Sequence, residues 1–168
     1  MALADLIKPA FVQIGGPPLS KDEMIRSMVE PLVDAGIVES ASKVTRALLE
    51  RERVMSTGVG GGVALPHAQS AAVKEFAVAI AKPREPIDFQ ALDEKPVQLI
   101  FLAVGPEDRT GLMRVLTRIS RLLYTGDLQK KLLKATDPEE AVRLIAAEEA
   151  KLGADTPPSP TLGAGSAS

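Results

Sequence analysis

Apolar residues recur along the chain with two spacings, and the places where the spacing changes divide it into helices and strands. Met24, Ile25, Met28, Val29, Leu32 and Val33 fall on an i, i+4 stripe, the mark of a helix with one buried face. Ser20 followed three residues later by Glu23 predicts a capping box at its start, and Gly36 predicts its end. Pro31 lies inside and is expected to kink or loosen the last turn. A second helix is predicted from Ala41 to Arg53, burying Val44, Ala47, Leu48 and, just past its end, Val54.

Shorter apolar runs predict strands. Phe11-Val12-Gln13-Ile14 is closed by Gly15-Gly16-Pro17-Pro18, and Val63-Ala64-Leu65 and Phe76 to Ala81 read as buried strands. Ile87-Asp88-Phe89 reads as a short edge strand. Val97 to Val104 is nearly continuous apolar sequence, which predicts a strand covered on both faces at the centre of the sheet. Beyond it, Met113, Leu116, Ile119, Ser120 and Leu123 predict a third helix, Asp127 to Ala135 a short fourth, and Thr136-Asp137-Pro138-Glu139-Glu140 the opening of a last one. The pattern predicts a single α/β domain over residues 1–150: a mixed sheet of four to five strands flanked by helices on its faces. Residues 151–168, mostly Pro, Gly, Ser, Ala and Thr from Gly153 onward, are expected to form a disordered tail.

Composition narrows the function classes. Aromatic residues make up only 3% of the chain, so stacking platforms for single-stranded nucleic acid are not expected. A net charge of −2 argues against general affinity for nucleic acid or anionic membrane. No apolar run approaches the length of a membrane span and no signal peptide is visible, so a cytoplasmic location without membrane insertion is expected. The absence of cysteine excludes disulfides and thiol catalysis, and a single histidine leaves only carboxylates as further metal ligands. Neither a metal nor a cofactor is therefore expected.

That histidine, His67, ends the most distinctive stretch, Ser56-Thr57-Gly58-Val59-Gly60-Gly61-Gly62-Val63-Ala64-Leu65-Pro66-His67. Dense glycine lets main-chain N–H groups crowd against a ligand, and an imidazole at a strand end beside such a loop suits an anionic group, phosphate above all. The run is not a P-loop, because no Lys-Ser/Thr follows the glycines. A lone histidine near apolar residues is more often a hydrogen-bonded structural residue, and glycines often only make turns, so spacing alone leaves both roles open.

The stretch from Ala47 to Pro106 resembles the enzyme IIA domain of the fructose/mannitol/nitrogen-regulatory class of the bacterial phosphoenolpyruvate-dependent phosphotransferase system. Leu48-Leu49-Glu50-Arg51-Glu52, the Thr57–His67 string, Pro86-Ile87-Asp88-Phe89, Asp93-Glu94-Lys95-Pro96-Val97 and Leu99-Ile100-Phe101-Leu102 carry the likeness. The resemblance implies that His67 accepts a phosphoryl group from a histidine-phosphorylated carrier protein. It also implies that Arg51 lies beside His67, although an arginine there would equally complement the C-terminal dipole of its helix. Thr57 and the amides of Gly58, Gly60, Gly61 and Gly62 are expected to bind the phosphoryl oxygens. One departure stands out. Related domains generally carry a second histidine early in the helix after the central strand, and Leu112 occupies that place here. Arg109 or Arg114 then supplies the missing charge, or transfer is slower, or it is lost. Three roles follow: a phosphorylatable nitrogen-type regulator with a target protein, a sugar-transport component acting with a separate permease subunit, or a partner-binding module that has lost phosphotransfer.

Overall fold

The strand β6 (Leu99–Gly105) is buried along its whole length, as its unbroken apolar sequence requires. In the computed structural model, which describes residues 2–124 and 127–155, it occupies the middle of five lanes. The lanes run β1 (Val12–Ile14), β5 (Ala77–Lys82), β6, then β3 (Val63–Ala64) with β4 (His67–Gln69), then β2 (Gly58–Gly60). The sheet is mixed: β5 pairs antiparallel with β6 and parallel with β1, while β3 and β4 run parallel to β6 and β2 antiparallel to β3.

The two segments β3 and β4 share one register. Val63 lies opposite Leu99 and Ala64 opposite Ile100; His67 then lies opposite Ala103 and Ala68 opposite Val104. They are two halves of one strand, interrupted where Pro66 has no N–H to give to the ladder. The Pro66 carbonyl still accepts the Ala103 N–H at 2.9 Å, so the strand stays on course to His67.

Alternation along the strands separates two cores. Ala64, Ala68, Ala77, Ala79, Ala81, Ile100, Leu102 and Val104 pack with α1 (Lys21–Asp34) and α2 (Ala41–Val54). Val63, Val78, Ile80, Leu99, Phe101 and Ala103 pack with α3 (Arg109–Tyr124), α4 (Leu128–Lys134) and α5 (Pro138–Asp155) on the other face. The alanine-rich face lets α2 lie close to the strand end that carries His67.

The expected capping box closes on α1: Ser20 Oγ accepts the Glu23 N–H and Glu23 Oε1 accepts the Ser20 N–H. Pro31 does not end this helix. The carbonyl left without its helical donor, that of Ser27, accepts the Gln13 side-chain amide at 2.9 Å instead. Interior proline costs roughly 3 kcal/mol, and burial of Met24, Ile25, Met28, Val29 and Leu32, about 1.5–3 kcal/mol each, outweighs it.

Four sequence expectations need correction. Ile87–Phe89 is not a strand; a single bridge joins Ile87 to Val97, and Phe89 goes into the core from irregular backbone. On α3 the buried stripe is Leu112, Val115, Ile119 and Leu122, which leaves Met113 and Ser120 exposed. Val54 is 82% exposed, since α2 has turned its last residue away from the core. The final helix continues to Asp155, past the expected boundary at 151, and residues 156–168 lie outside the described residues.

Candidate active site

His67 opens β4, at the end of the sheet where α2 and α3 flank the strand from opposite faces. Its Nδ1 lies 2.7 Å from the Leu65 carbonyl oxygen, which can only accept. Nδ1 therefore carries the proton and donates it, and Nε2 keeps the lone pair. The ring is half-buried. Burial pushes its pKa below 6.5, and the Arg51 charge pushes the same way, against the Leu65 hydrogen bond and the Glu52 charge. The ring is thus a neutral base at pH 7, with one tautomer selected.

An open depression of about 460 Å³ surrounds it. Ala47, Glu50, Arg51 and Val54 line it from α2, and Ala68 and Gln69 from the strand. Arg109, Leu112 and Met113 close it from α3. Arg51 Nη1 donates to the Met55 carbonyl at 2.8 Å, so this residue closes the C-terminus of α2 and also stands at the depression.

The glycine segment goes elsewhere. It forms the hairpin between β2 and β3, with Gly60, Gly61 and Gly62 at φ of 102°, 68° and 81°, values that glycine adopts without strain. The Gly61 N–H donates to Asp93 Oδ2 at 3.1 Å and the Gly58 N–H to Ser56 Oγ at 3.0 Å. The carbonyl of Gly62 accepts the Gln98 and Leu99 N–H groups at the start of β6. Val63 pairs with Leu99 whereas His67 pairs with Ala103, so the turn at Gly60 to Gly62 lies four residues of strand, roughly 13 Å, from His67, while Thr57 and Gly58 lie nearer, opposite Leu65 and Ala64. Neither Thr57 nor Gly58, Gly60, Gly61 or Gly62 lines the depression. In this structure the glycines make the turn that starts the histidine's strand.

Thr57 instead serves a buried carboxylate. Glu52, 7% exposed, accepts the Thr57 N–H, at 3.3 Å and 3.2 Å to its two oxygens, and the Thr57 hydroxyl. It also pairs with the Lys21 ammonium at 2.7 Å. This knot ties the start of α1, the end of α2 and the segment leading to β2, and holds the helix end that carries Arg51. The signal was present in the sequence: Val44, Leu48 and Glu52 are four apart, on the buried stripe of α2.

The α3 side is fixed by close packing. Asp108 Oδ1 accepts the Gly111 N–H at 3.0 Å. The Phe76 ring fills the space beside Gly105 and Gly111, where added Cβ atoms would come within 2.2 Å and 2.5 Å of it. Leu112, 4% exposed, is the apolar wall at the place the resemblance gives to a second histidine. Arg109 reaches the depression; Arg114 is exposed and does not line it.

A neutral imidazole with a free Nε2, next to a fixed guanidinium in an open basin, is arranged to attack an anionic electrophile. Among the described residues no group of three or more His, Cys, Asp or Glu side chains could hold a metal ion. No helix is long and apolar enough to cross a membrane.

Comparison with known proteins places the whole fold in one family. Residues 5–148 match the family described as "Phosphoenolpyruvate-dependent sugar phosphotransferase system, EIIA 2". The chain is 38% identical over 142 residues to the fructose-specific EIIA component of the PTS system of Haloferax volcanii, covering 82% of this chain and 90% of that one. It is 32% identical over 148 residues to the nitrogen regulatory protein of Bradyrhizobium diazoefficiens, covering 87% and 95% respectively. The crystal structure of nitrogen regulatory protein IIA-Ntr from Neisseria meningitidis superposes with a TM-score of 0.75 at 30% identity, covering 84% of this chain and 97% of that one.

Proposed function

Since the chain belongs to the EIIA type 2 family of the phosphoenolpyruvate-dependent sugar phosphotransferase system, with the general phosphotransfer role of that family, we propose that His67 is its phosphoacceptor. The donor in this reading is a histidine-phosphorylated carrier protein. The observation that carries it is the Nδ1–H···O bond to Leu65, which leaves Nε2 as the nucleophile.

Nε2 attacks phosphorus in line as the P–N bond to the donor ring breaks. A protonated donor ring departs with the bonding pair as neutral imidazole, and the His67 ring, keeping its Nδ1 proton on Leu65, takes up the positive charge. No proton has to be exchanged with solvent. The transferring group has little covalent help to receive, so the protein's contribution is position and charge. Arg51 supplies a fork that matches phosphoryl oxygens and is held in place through Met55.

For the recipient we adopt the regulatory role, in which the phosphorylation state of His67 sets the binding of a target protein. Replacement of the second imidazole by Leu112 removes one stabilising donor, worth about two to three orders of magnitude in rate, which a switch tolerates better than a transport flux. The 38% identity to a fructose-specific component favours a second reading, passage of the phosphoryl group to a permease subunit. Incubation of wild type and His67→Ala with the phosphorylated carrier tests the phosphoacceptor reading. Acid-labile label on the first and none on the second is expected; an unlabelled wild type would leave a partner-binding module. Discharge of the labelled protein onto a sugar-permease subunit would favour transport.

A further inference from the structure

We infer that Arg109 is a catalytic residue, the cation that contacts the transferred phosphoryl group from α3 in place of the imidazole that Leu112 excludes. This rests on the phosphoacceptor reading of His67 and adds a residue to it.

Arg109 and Leu112 are three apart on α3, hence on one face of the helix, and both line the depression that contains His67 and Arg51. A positive charge lost at the second position has thus reappeared one turn earlier on the same wall. The wall itself cannot drift. Asp108 caps the first turn through Gly111, and the Phe76 ring leaves no space for a Cβ at either Gly105 or Gly111. Among the described residues Arg109 has neither an ion pair within 4 Å nor a hydrogen bond that would hold its guanidinium elsewhere. Arg51, by contrast, is tethered to Met55. The two arginines divide the work: Arg51 is fixed beside the acceptor ring, and Arg109, exposed on a long side chain, closes on the phosphoryl oxygens as the donor docks. A guanidinium carries its charge at every working pH, which a second histidine would not.

The charged groups facing a phosphoryl on His67 are Glu50 and Arg51 from α2 and Arg109 from α3, with the buried Glu52 acting on the ring from α2 and Asp108 adjacent in the chain. Removing Arg109 therefore removes one of two cations opposed by carboxylates, and the phosphoryl's second ionisation must move upward.

Two arms test this. With the phosphorylated carrier as donor, Arg109→Ala should accept label about 100-fold more slowly than wild type. Arg109→Lys should fall between them, and Arg114→Ala should match wild type. Adding Leu112→His to Arg109→Ala should recover at least roughly tenfold. In the second arm His67 is phosphorylated with phosphoramidate, a small donor that needs no docking, and the phosphoryl group is titrated by 31P NMR. The midpoint should lie higher in Arg109→Ala than in wild type. Equal rates and superimposable 31P titrations would overturn the role of Arg109. A wild type that phosphoramidate labels and the carrier does not would count against the carrier reading alone, and the 31P titration would still decide the arginine.

Discussion

Glu52 offers the sharpest stability test, because one buried carboxylate holds three segments together. Its side chain is 4% exposed and that of its partner Lys21 is 14% exposed, with 2.7 Å between them. In Glu52→Ala the Thr57 N–H and hydroxyl lose their acceptor, and among the described residues the Lys21 ammonium keeps the Phe89 carbonyl at 3.1 Å and the Phe89 ring at 5.1 Å. Breaking a buried pair from one side costs about 3–5 kcal/mol, because the remaining charge stays buried. Glu52→Gln keeps the volume and one acceptor for Thr57, so its cost falls to roughly 1.5–3 kcal/mol, the worth of hydrogen bonds to a charged group. Lys21→Met on the Glu52→Gln background removes the stranded cation and should recover part of the loss, giving a coupling of about 0.5–3 kcal/mol. Urea unfolding with an unchanged m-value reads these differences as a fall in midpoint. In a thermal scan the alanine variant should melt roughly 6–20 °C lower, at about 2–4 °C per kcal/mol for a chain of this size. A cost below about 1 kcal/mol for Glu52→Ala, or no coupling to Lys21, would refute the view that this knot holds the end of α2.

Gly111→Ala should destabilise the fold by about 1–3 kcal/mol, because its Cβ would meet the Phe76 ring and Asp108 Oδ2 at 2.5 Å; a thermal midpoint equal to wild type would show that this packing yields. Asp137→Ala should cost about 1 kcal/mol, since Asp137 Oδ1 accepts the Glu140 N–H at 2.8 Å at the start of α5, and urea unfolding measures it. The pKa of His67 is held below 6.5, by burial first and the Arg51 charge second. As pH falls from 6.5 toward that lower value, the unfolded chain takes up a proton before the folded one, so stability is lost across this window and is unaffected above it. His67→Gln should abolish that part of the pH dependence. Phosphoryl acceptance by wild type should stay level down to pH 6.5 and decline only below it; a decline centred at or above 6.5 would contradict the depressed pKa.

The helices and the central strand were legible because each depends on local pattern: a capping box at Ser20, an i, i+4 stripe on α1, and an unbroken apolar run for β6. The irregular path of Ile87 to Phe89 was not, since a single bridge to Val97 is set by the chain on the far side of the turn. The accommodation of Pro31 inside α1 was not legible for a related reason: the Gln13 amide that satisfies the Ser27 carbonyl comes from the segment before the helix. At the site, His67 and Arg51 were singled out from two separate strings, and the structure brings both to one depression. The hairpin made by the glycines was not legible, because their density signals backbone freedom, which a hairpin uses as readily as a phosphate loop does. Arg109 could be named only as one of two arginines, until the phase of α3 put it beside Leu112 and left Arg114 exposed.

The central claim is that Leu65 fixes the tautomer of His67 and so determines which nitrogen accepts the phosphoryl group. The direct measurement is 15N-edited NMR of the histidine ring before and after phosphorylation, in protein labelled at its single histidine. The account predicts a protonated Nδ1 before the reaction, phosphorus bonded to Nε2 after it, and the Nδ1 proton still shielded from exchange by the Leu65 carbonyl. Phosphorus on Nδ1, or a ring that carries its proton on Nε2 in the free protein, would contradict it.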